Sequence, residues 1–317
     1  MQKWKIKAAV QKVLSLLPNS QFWNSFFQKF VTRRYSLSER VFKVKLTRCN
    51  ELLEQARHAV GRPSENFTVL ELGTGWHPVL AIGMYLCGAS KIWSVDIESL
   101  MTTDNVRSTV EFFVQYAQSG RLLELLPSAV EHRVTALQEN VGSLPESATG
   151  KAMLEALNIE SVVSDARTLD LAPGSVDFFI SACVFEHIPQ DVLKDIFIKF
   201  HEIAAADAVM NHSVDLSDHY SHFDRSISGF NFLQYSSREW RRYNNQLHYQ
   251  NRLRIDDYRK LHQETGFRIA AELDKQGDPA ELESIQLAAE FQQYPQEELL
   301  ICSSRLISVP IQEAEQE

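Results

Sequence analysis

The stretch Val69-Leu70-Glu71-Leu72-Gly73-Thr74-Gly75-Trp76 decides the fold of this 317-residue chain. The apolar run Phe67–Leu72 reads as a short buried strand. The run Val79–Cys87 that follows reads as a helix closed by Gly88. Between them, two glycines let the backbone turn tightly and lie against a ligand. The helix N-terminus favours an anion or polar group at that turn. This much is common to nucleotide-binding α/β proteins. Glu71 narrows it. A carboxylate two residues before Gly73 would face the pyrophosphate of a dinucleotide, and Pro78 takes the third position of a Gly-x-Gly-x-x-Gly pattern. A nicotinamide-dependent oxidoreductase is disfavoured on both counts, and a cationic ligand is favoured.

Working outward, strands and helices alternate. Lys91–Asp96, Ser161–Ser164, Val176–Ser181 and Asp207–Asn211 read as strands, and Asp191–Glu202 as a helix between the last two. Such alternation predicts an α/β fold with a mostly parallel, doubly wound sheet. Phe267–Glu272 and Glu298–Val309 are candidates for strands at its edge. About sixty residues separate Asp96 from the next strand. They read as a helical insertion over about 104–158, with helices at Val106–Gln118, Leu122–Glu139 and Lys151–Leu157.

Two more acids fall at strand ends. Asp96 lies 25 residues after Glu71, where a carboxylate can accept from both hydroxyls of a ribose. Asp165 closes the third strand, where it can accept from an adenine amino group. Each acid alone is often a turn or helix cap; their shared register after successive strands carries the reading. Together with Val69–Trp76, the segments Ser94–Ile97, Ser164-Asp165-Ala166 and Val176–Ser181 resemble the successive motifs of class I S-adenosylmethionine (SAM)-dependent methyltransferases. Ser181-Ala-Cys-Val-Phe-Glu-His-Ile188 is similar to the motif after the fourth strand in the ubiquinone/menaquinone-methyltransferase-like branch. The resemblance covers about 67–211. It implies a Rossmann-like, seven-stranded sheet whose last strand runs antiparallel, a transferase activity, and SAM as cofactor. By the same resemblance Glu71, Gly73, Thr74, Gly75 and Trp76 line the methionine part, Asp96 and Ile97 the ribose side, and Asp165 and Ala166 the adenine. Ser181 completes the cofactor set. His77 stands where the family often has a third glycine, either supplying a side chain to the pocket or packing on the next helix.

The substrate side is expected in residues 212–254. His212-Ser-Val-Asp215-Leu-Ser-Asp218-His219-Tyr-Ser-His222-Phe-Asp224 gathers six potential ligands or proton carriers just after the fifth strand, on the edge where open α/β sheets bind ligands. His212, Asp215 and His187 are the candidate general bases. The spacing matches no metal signature, so no metal is expected; a metal site and a polar loop of capped turns remain the two other readings. Aromatic residues from Phe230 to Tyr249, interleaved with Arg238, Arg241, Arg242, Arg252 and Arg254, read either as a lid over an anionic or sugar-like acceptor or as packing.

Residues 1–38 carry seven bases and no acid, leaving a net charge of -16 on the remainder and -9 overall. That balance argues against nucleic acid as a partner. Residues 1–63 read as an N-terminal helical arm, with helices at 4–17, at Phe22–Val31 and from Ser38 to about Val60. Residues 64–317 read as the methyltransferase domain. The arm suits peripheral membrane contact, closure over the site, or homodimerisation through its Phe/Trp face. Four scattered cysteines and the lack of a signal-like or membrane-length apolar run point to the cytoplasm. The expected function is methyl transfer from SAM to oxygen or nitrogen of a small molecule or glycan intermediate. A non-catalytic SAM-binding scaffold on the same fold is the alternative.

Overall fold

A computed structural model of the chain describes residues 2–15 and 36–311. The helix expected at Phe22–Val31, with Lys29, Arg33 and Arg34, lies outside the described residues. Seven strands form one sheet: β1 (Thr68–Leu72), β2 (Lys91–Asp96), β3 (Ile159–Val163), β4 (Val176–Ala182), β5 (Ala204–Asp215), β6 (Phe267–Gln276) and β7 (Ile301–Pro310). Their order is β3-β2-β1-β4-β5-β7-β6. The pairs among β1 to β5 are parallel, and β7 runs antiparallel to both β5 and β6. This is the Rossmann-like α/β fold expected from the sequence.

The central strands are buried on both faces, which is why they read as continuous apolar runs. Successive side chains of β4 divide the core. Phe178 and Ile180 join one layer, with Val69, Ile82 and Leu86, while Phe179 joins the other, with Leu70, Phe197 and Phe200. The helix Val79–Leu86 is buried at all eight positions, as expected of a helix apolar on every side.

The helix Glu39–Val60, assigned by sequence to the arm, is part of that core. Leu46, Cys49, Leu52, Leu53 and Ala56 are fully buried on its inner face. Ser38 caps its start by accepting from the Val41 amide, and Gly61, at φ 71°, ends it. The insertion is helical, but the single helix expected over Leu122–Glu139 is two, Leu122–Leu125 and Glu131–Gly142. Pro127 lies in the break and has no amide to continue the ladder. Among the described residues, no helix is long and apolar enough to cross a membrane.

Candidate active site

The turn after β1 has the conformation its glycines predict. Gly73 and Gly75 sit at φ 77° and 73°. A Cβ on Gly73 would come within 2.5 Å of Val184 Cγ2, whereas one on Gly75 would meet nothing within 4 Å. The turn is therefore pressed against the segment after β4 on one side and open on the other. Thr74 is buried and its hydroxyl lies 2.6 Å from that of Ser94 on β2, which ties the turn to the sheet.

Glu71 is 3 % exposed, and its Oε2 has no hydrogen-bond partner. Burial pushes its carboxyl up to about 7. The Lys45 ammonium, a hydrogen bond from Thr74 and one from the Ala81 backbone pull the other way, and Asp96 adds to the rise. A buried, incompletely partnered carboxylate beside an open glycine turn suits a ligand that brings an ammonium group. On that ground the residues present fit the amino acid part of SAM. Lys45, on the helix Glu39–Val60, is a charged group of this site that sequence reasoning missed. The signal was a lysine in an otherwise apolar-faced helix read as a separate arm. His77 is buried and packs on the helix Thr103–Gln118, its Nδ1 3.4 Å from Thr109 Oγ1. Trp76 is half-buried in the turn.

Asp96 and Asp165 stand at the ends of β2 and β3, which pair in register. Asp96 Oδ2 accepts from the Gly75 amide at 2.9 Å and Oδ1 from the Glu98 amide at 3.2 Å. Asp165 is held by Arg167 through its guanidinium and amide, which keeps its carboxyl below the usual range. Each Asp96 oxygen retains a second lone pair for a ligand, whereas both Asp165 oxygens already accept twice from Arg167, so a ligand there would displace one of those contacts. Ile97 is 69 % exposed and Val163 54 %, while Ala166 is buried. Two exposed apolar side chains beside these acids offer a surface on which a flat ring can lie.

The acceptor side differs from the sequence expectation in one important respect. β5 runs on to Asp215 because β7 pairs with it, His212 opposite Leu306 and Asp215 opposite Ser303. His212 is therefore inside the sheet instead of in a loop beyond it. It is fully buried, its ring 4.3 Å from that of Phe185, and its Nδ1 is 2.9 Å from Ser181 Oγ. Burial holds its imidazole well below the usual range. His212 is a core histidine, and Ser181, equally buried, is its partner instead of a cofactor contact.

Asp218 and Asp224 close turns: Asp218 accepts from the Tyr220 amide and from Asn231, and Asp224 from Ser226 and the Trp4 amide. Asp215, His219 and His222 do converge. His219 Nε2 and His222 Nε2 lie 3.4 and 3.7 Å from Asp215 Oδ2. Despite the cost of burial, hydrogen bonds from His219 and Ser217 hold the Asp215 carboxyl down at about 2.

Glu186, in the quoted Ser181–Ile188 motif but given no role from sequence, is 1 % exposed beside them. Burial pushes it up to about 8, and its Oε1 accepts from the Asp215 amide at 3.3 Å. The exposed His187 stands on the other side, its Nδ1 2.8 Å from the Tyr249 carbonyl.

A cavity of about 540 Å³ opens at the carboxyl ends of β4 and β5, among Arg48, Cys183, Asp215, His222, Lys275 and Arg305. Cys183 holds φ 57°, a conformation rare for a residue with a side chain, at the turn between the cofactor side and this cavity.

Of the aromatic and basic run downstream, Arg238, Arg241 and Arg242 are exposed, and the aromatic residues with Arg252 and Arg254 are packing. Trp4 of the helix Lys3–Ser15 is fully buried against Tyr220, Tyr235, Trp240 and Tyr243. Arg254 is fully buried and donates to the carbonyls of Leu216, Leu299 and Ile301. Arg252 donates to those of Phe232 and Tyr235 and pairs with Glu290.

Residues 117–204 match a family model described as a methyltransferase domain. The match takes in β3, β4 and the helix Gln190–Ile203. No curated protein matches the chain by sequence. Among solved structures, the chain is similar to magnesium protoporphyrin IX methyltransferase from Synechocystis PCC 6803 with bound S-adenosylhomocysteine: 13 % identity, 92 % of this chain and 98 % of that one, TM-score 0.46. It is also similar to a SAM-dependent methyltransferase from Methanosarcina mazei: 13 % identity, 80 % and 96 % covered, TM-score 0.43. A third is geranyl diphosphate C-methyltransferase from Streptomyces coelicolor A3(2): 9 % identity, 82 % and 76 % covered, TM-score 0.42. No residue role follows from these likenesses. The sheet order is the one expected from the sequence, and the match to a methyltransferase domain supports a SAM-dependent methyltransferase.

Proposed function

We propose that the acceptor is a small molecule or glycan intermediate with an anionic group, methylated on oxygen or nitrogen in the cavity at the ends of β4 and β5. The basic lining of that cavity carries the reading. Arg48 and Lys275 face it, and Arg305, paired with Glu51, adds a third guanidinium or ammonium group against the single carboxylate of Asp215. Its volume suits a small molecule, and a carboxylate or phosphate is the group such a lining recognises.

On this reading Glu71 holds the amino group of the cofactor, Gly73 and Gly75 let its chain lie on the turn, and Asp96 and Asp165 accept from its ribose and adenine. SAM supplies the electrophilic methyl group when bound. The protein's part is to hold the acceptor atom in line and to take its proton. His222 is the residue placed for the second task, with Asp215 orienting its ring. His187 is set apart from the cavity lining by its bond to Tyr249. The helix Lys3–Ser15 packs on the segment that includes Tyr220, so the arm covers this side of the molecule.

The test is transfer of labelled methyl from SAM to a panel of sugar acids, sugar phosphates and their neutral counterparts. Transfer to the anionic members is expected, with a raised KM in Arg48→Ala and Lys275→Ala and a lowered kcat in His222→Ala. Equal transfer to neutral sugars, with KM unmoved in both variants, would refute the acceptor class.

A further inference from the structure

Beside the acceptor cavity, ligating atoms from Glu186, His187 and His219 lie within 4.8 Å of one another. Three features show that these groups face a common point. Glu186 is 1 % exposed, yet its Oε2 makes no hydrogen bond. A carboxylate so buried normally has a partner for every oxygen. His219 Nε2 is also buried, and it faces the same point from 4.0 Å to Glu186 Oε1 and 3.4 Å to Asp215 Oδ2. His187 Nδ1 is 2.8 Å from the Tyr249 carbonyl, which can only accept, so the ring proton sits on Nδ1 and the lone pair on Nε2. An imidazole anchored by one nitrogen to a backbone carbonyl and presenting the other is the usual arrangement of a histidine metal ligand. Ligands around an ion with bonds of about 2.1 Å stand roughly 3–4 Å apart, close to the spacing found.

We propose that Glu186, His187 and His219 bind a divalent transition-metal ion, with Asp215 as the neighbouring carboxylate just outside them. Two imidazoles with one carboxylate favour zinc, cobalt, manganese or iron over magnesium or calcium. The ion sits between the segment after β4 and the segment after β5, across Asp215 from the cavity. There it adds positive charge next to an anionic acceptor. This is a departure from the sequence expectation of no metal, whose basis was ligand spacing along the chain. The ligands come from two segments, and the fold sets their separation. The inference does not depend on which acceptor is methylated.

The experiment titrates the full-length chain with Co²⁺ and Mn²⁺ separately, read by visible absorption for cobalt, electron paramagnetic resonance for manganese, and calorimetry for both. One ion per chain is expected. Glu186→Gln and His219→Gln should each weaken binding by more than the ~10–100-fold that loss of an outer-shell partner costs, and Asp215→Asn by about that amount. His132→Ala, on the exposed face of the helix Glu131–Gly142, should leave it unchanged. S-adenosylhomocysteine binding to every variant checks the fold. If Glu186→Gln fails that check, the surface variant His187→Gln decides. Binding of neither ion at millimolar concentration, or undiminished binding in both His187→Gln and His219→Gln, would overturn the proposal. Metal binding that persists when methyl transfer fails would separate this site from the acceptor reading.

Discussion

If Glu71 holds the cofactor's amino group, as proposed, its raised carboxyl ties cofactor affinity to pH. Its carboxyl is raised from 4.5 to about 7, chiefly by burial, with Lys45, Thr74, Ala81 and Asp96 as the other groups acting on it. An ammonium group binds the ionised form. With a pKa of 7, the ionised fraction falls about tenfold between pH 8 and pH 6. S-adenosylhomocysteine should therefore bind about tenfold more weakly at pH 6, a loss of ~1.4 kcal/mol. Calorimetry across that range is the assay, with Glu71→Gln as the comparison.

The ligand's own amino group titrates alike against both proteins, so the difference between the two profiles isolates Glu71. Glu71→Gln should bind about 10-fold or more weakly at pH 8, from the loss of a charged hydrogen bond of roughly 1.5–3 kcal/mol, and show the flatter profile. The unliganded protein should behave in the opposite sense. A carboxyl whose folded pKa is raised contributes stability that is complete below pH 4.5 and is lost as pH rises to 7. At pH 8 the Glu71→Gln variant should then be the more stable, by on the order of 3 kcal/mol at most. Profiles of equal slope in the two proteins, or an unliganded variant less stable than the parent at pH 8, would refute the assignment of Glu71 as the ammonium partner.

The remaining predictions concern residues that the structure places in the core. His212→Ala should cost about 2–4 kcal/mol in urea denaturation, from a cavity and an unpartnered Ser181 hydroxyl, while leaving cofactor affinity within twofold or so. Because the folded imidazoles of His212 and His262 (the latter held down at about 4) resist protonation, stability should be complete above pH 6.5 and fall as pH drops towards 4. His262→Gln should flatten that fall in thermal scans. Arg254→Leu leaves three buried carbonyls without their donor and should destabilise by about 3–5 kcal/mol, read by the same denaturation. Trp4→Ala empties an aromatic box. It should expose Lys3–Ser15 to trypsin while the methyltransferase core stays resistant; an unchanged cleavage pattern would show that the helix is held by other contacts.

Much of the fold was legible because its elements are locally encoded. Lys91–Asp96 was bounded to the residue, and Val79–Leu86 and Gln190–Ile203 to within one, because apolar periodicity and flanking breakers act over a few residues. The length of β5 was not legible. Its residues beyond Asn211 are mostly polar, and they continue as a strand because β4 and, ninety residues later, β7 supply partners for them. That single extension moved His212 and its partner Ser181 from the expected site into the core.

The sequence by itself determined the sheet class, the glycine turn and the places of Glu71, Asp96 and Asp165 at or near the ends of successive strands, since each depends on residues adjacent along the chain. The tertiary structure alone decided which side chains meet. It set Lys45 near Glu71, made Arg252 and Arg254 clamps on backbone carbonyls, and joined Glu186, His187 and His219 across two segments. The reason is physical: burial and the pairing of charges depend on distances that chain spacing does not encode. The same glycine turn with which the chain was read, Gly73-Thr74-Gly75, lies beside Glu71, whose buried Oε2 makes no hydrogen bond in the folded protein.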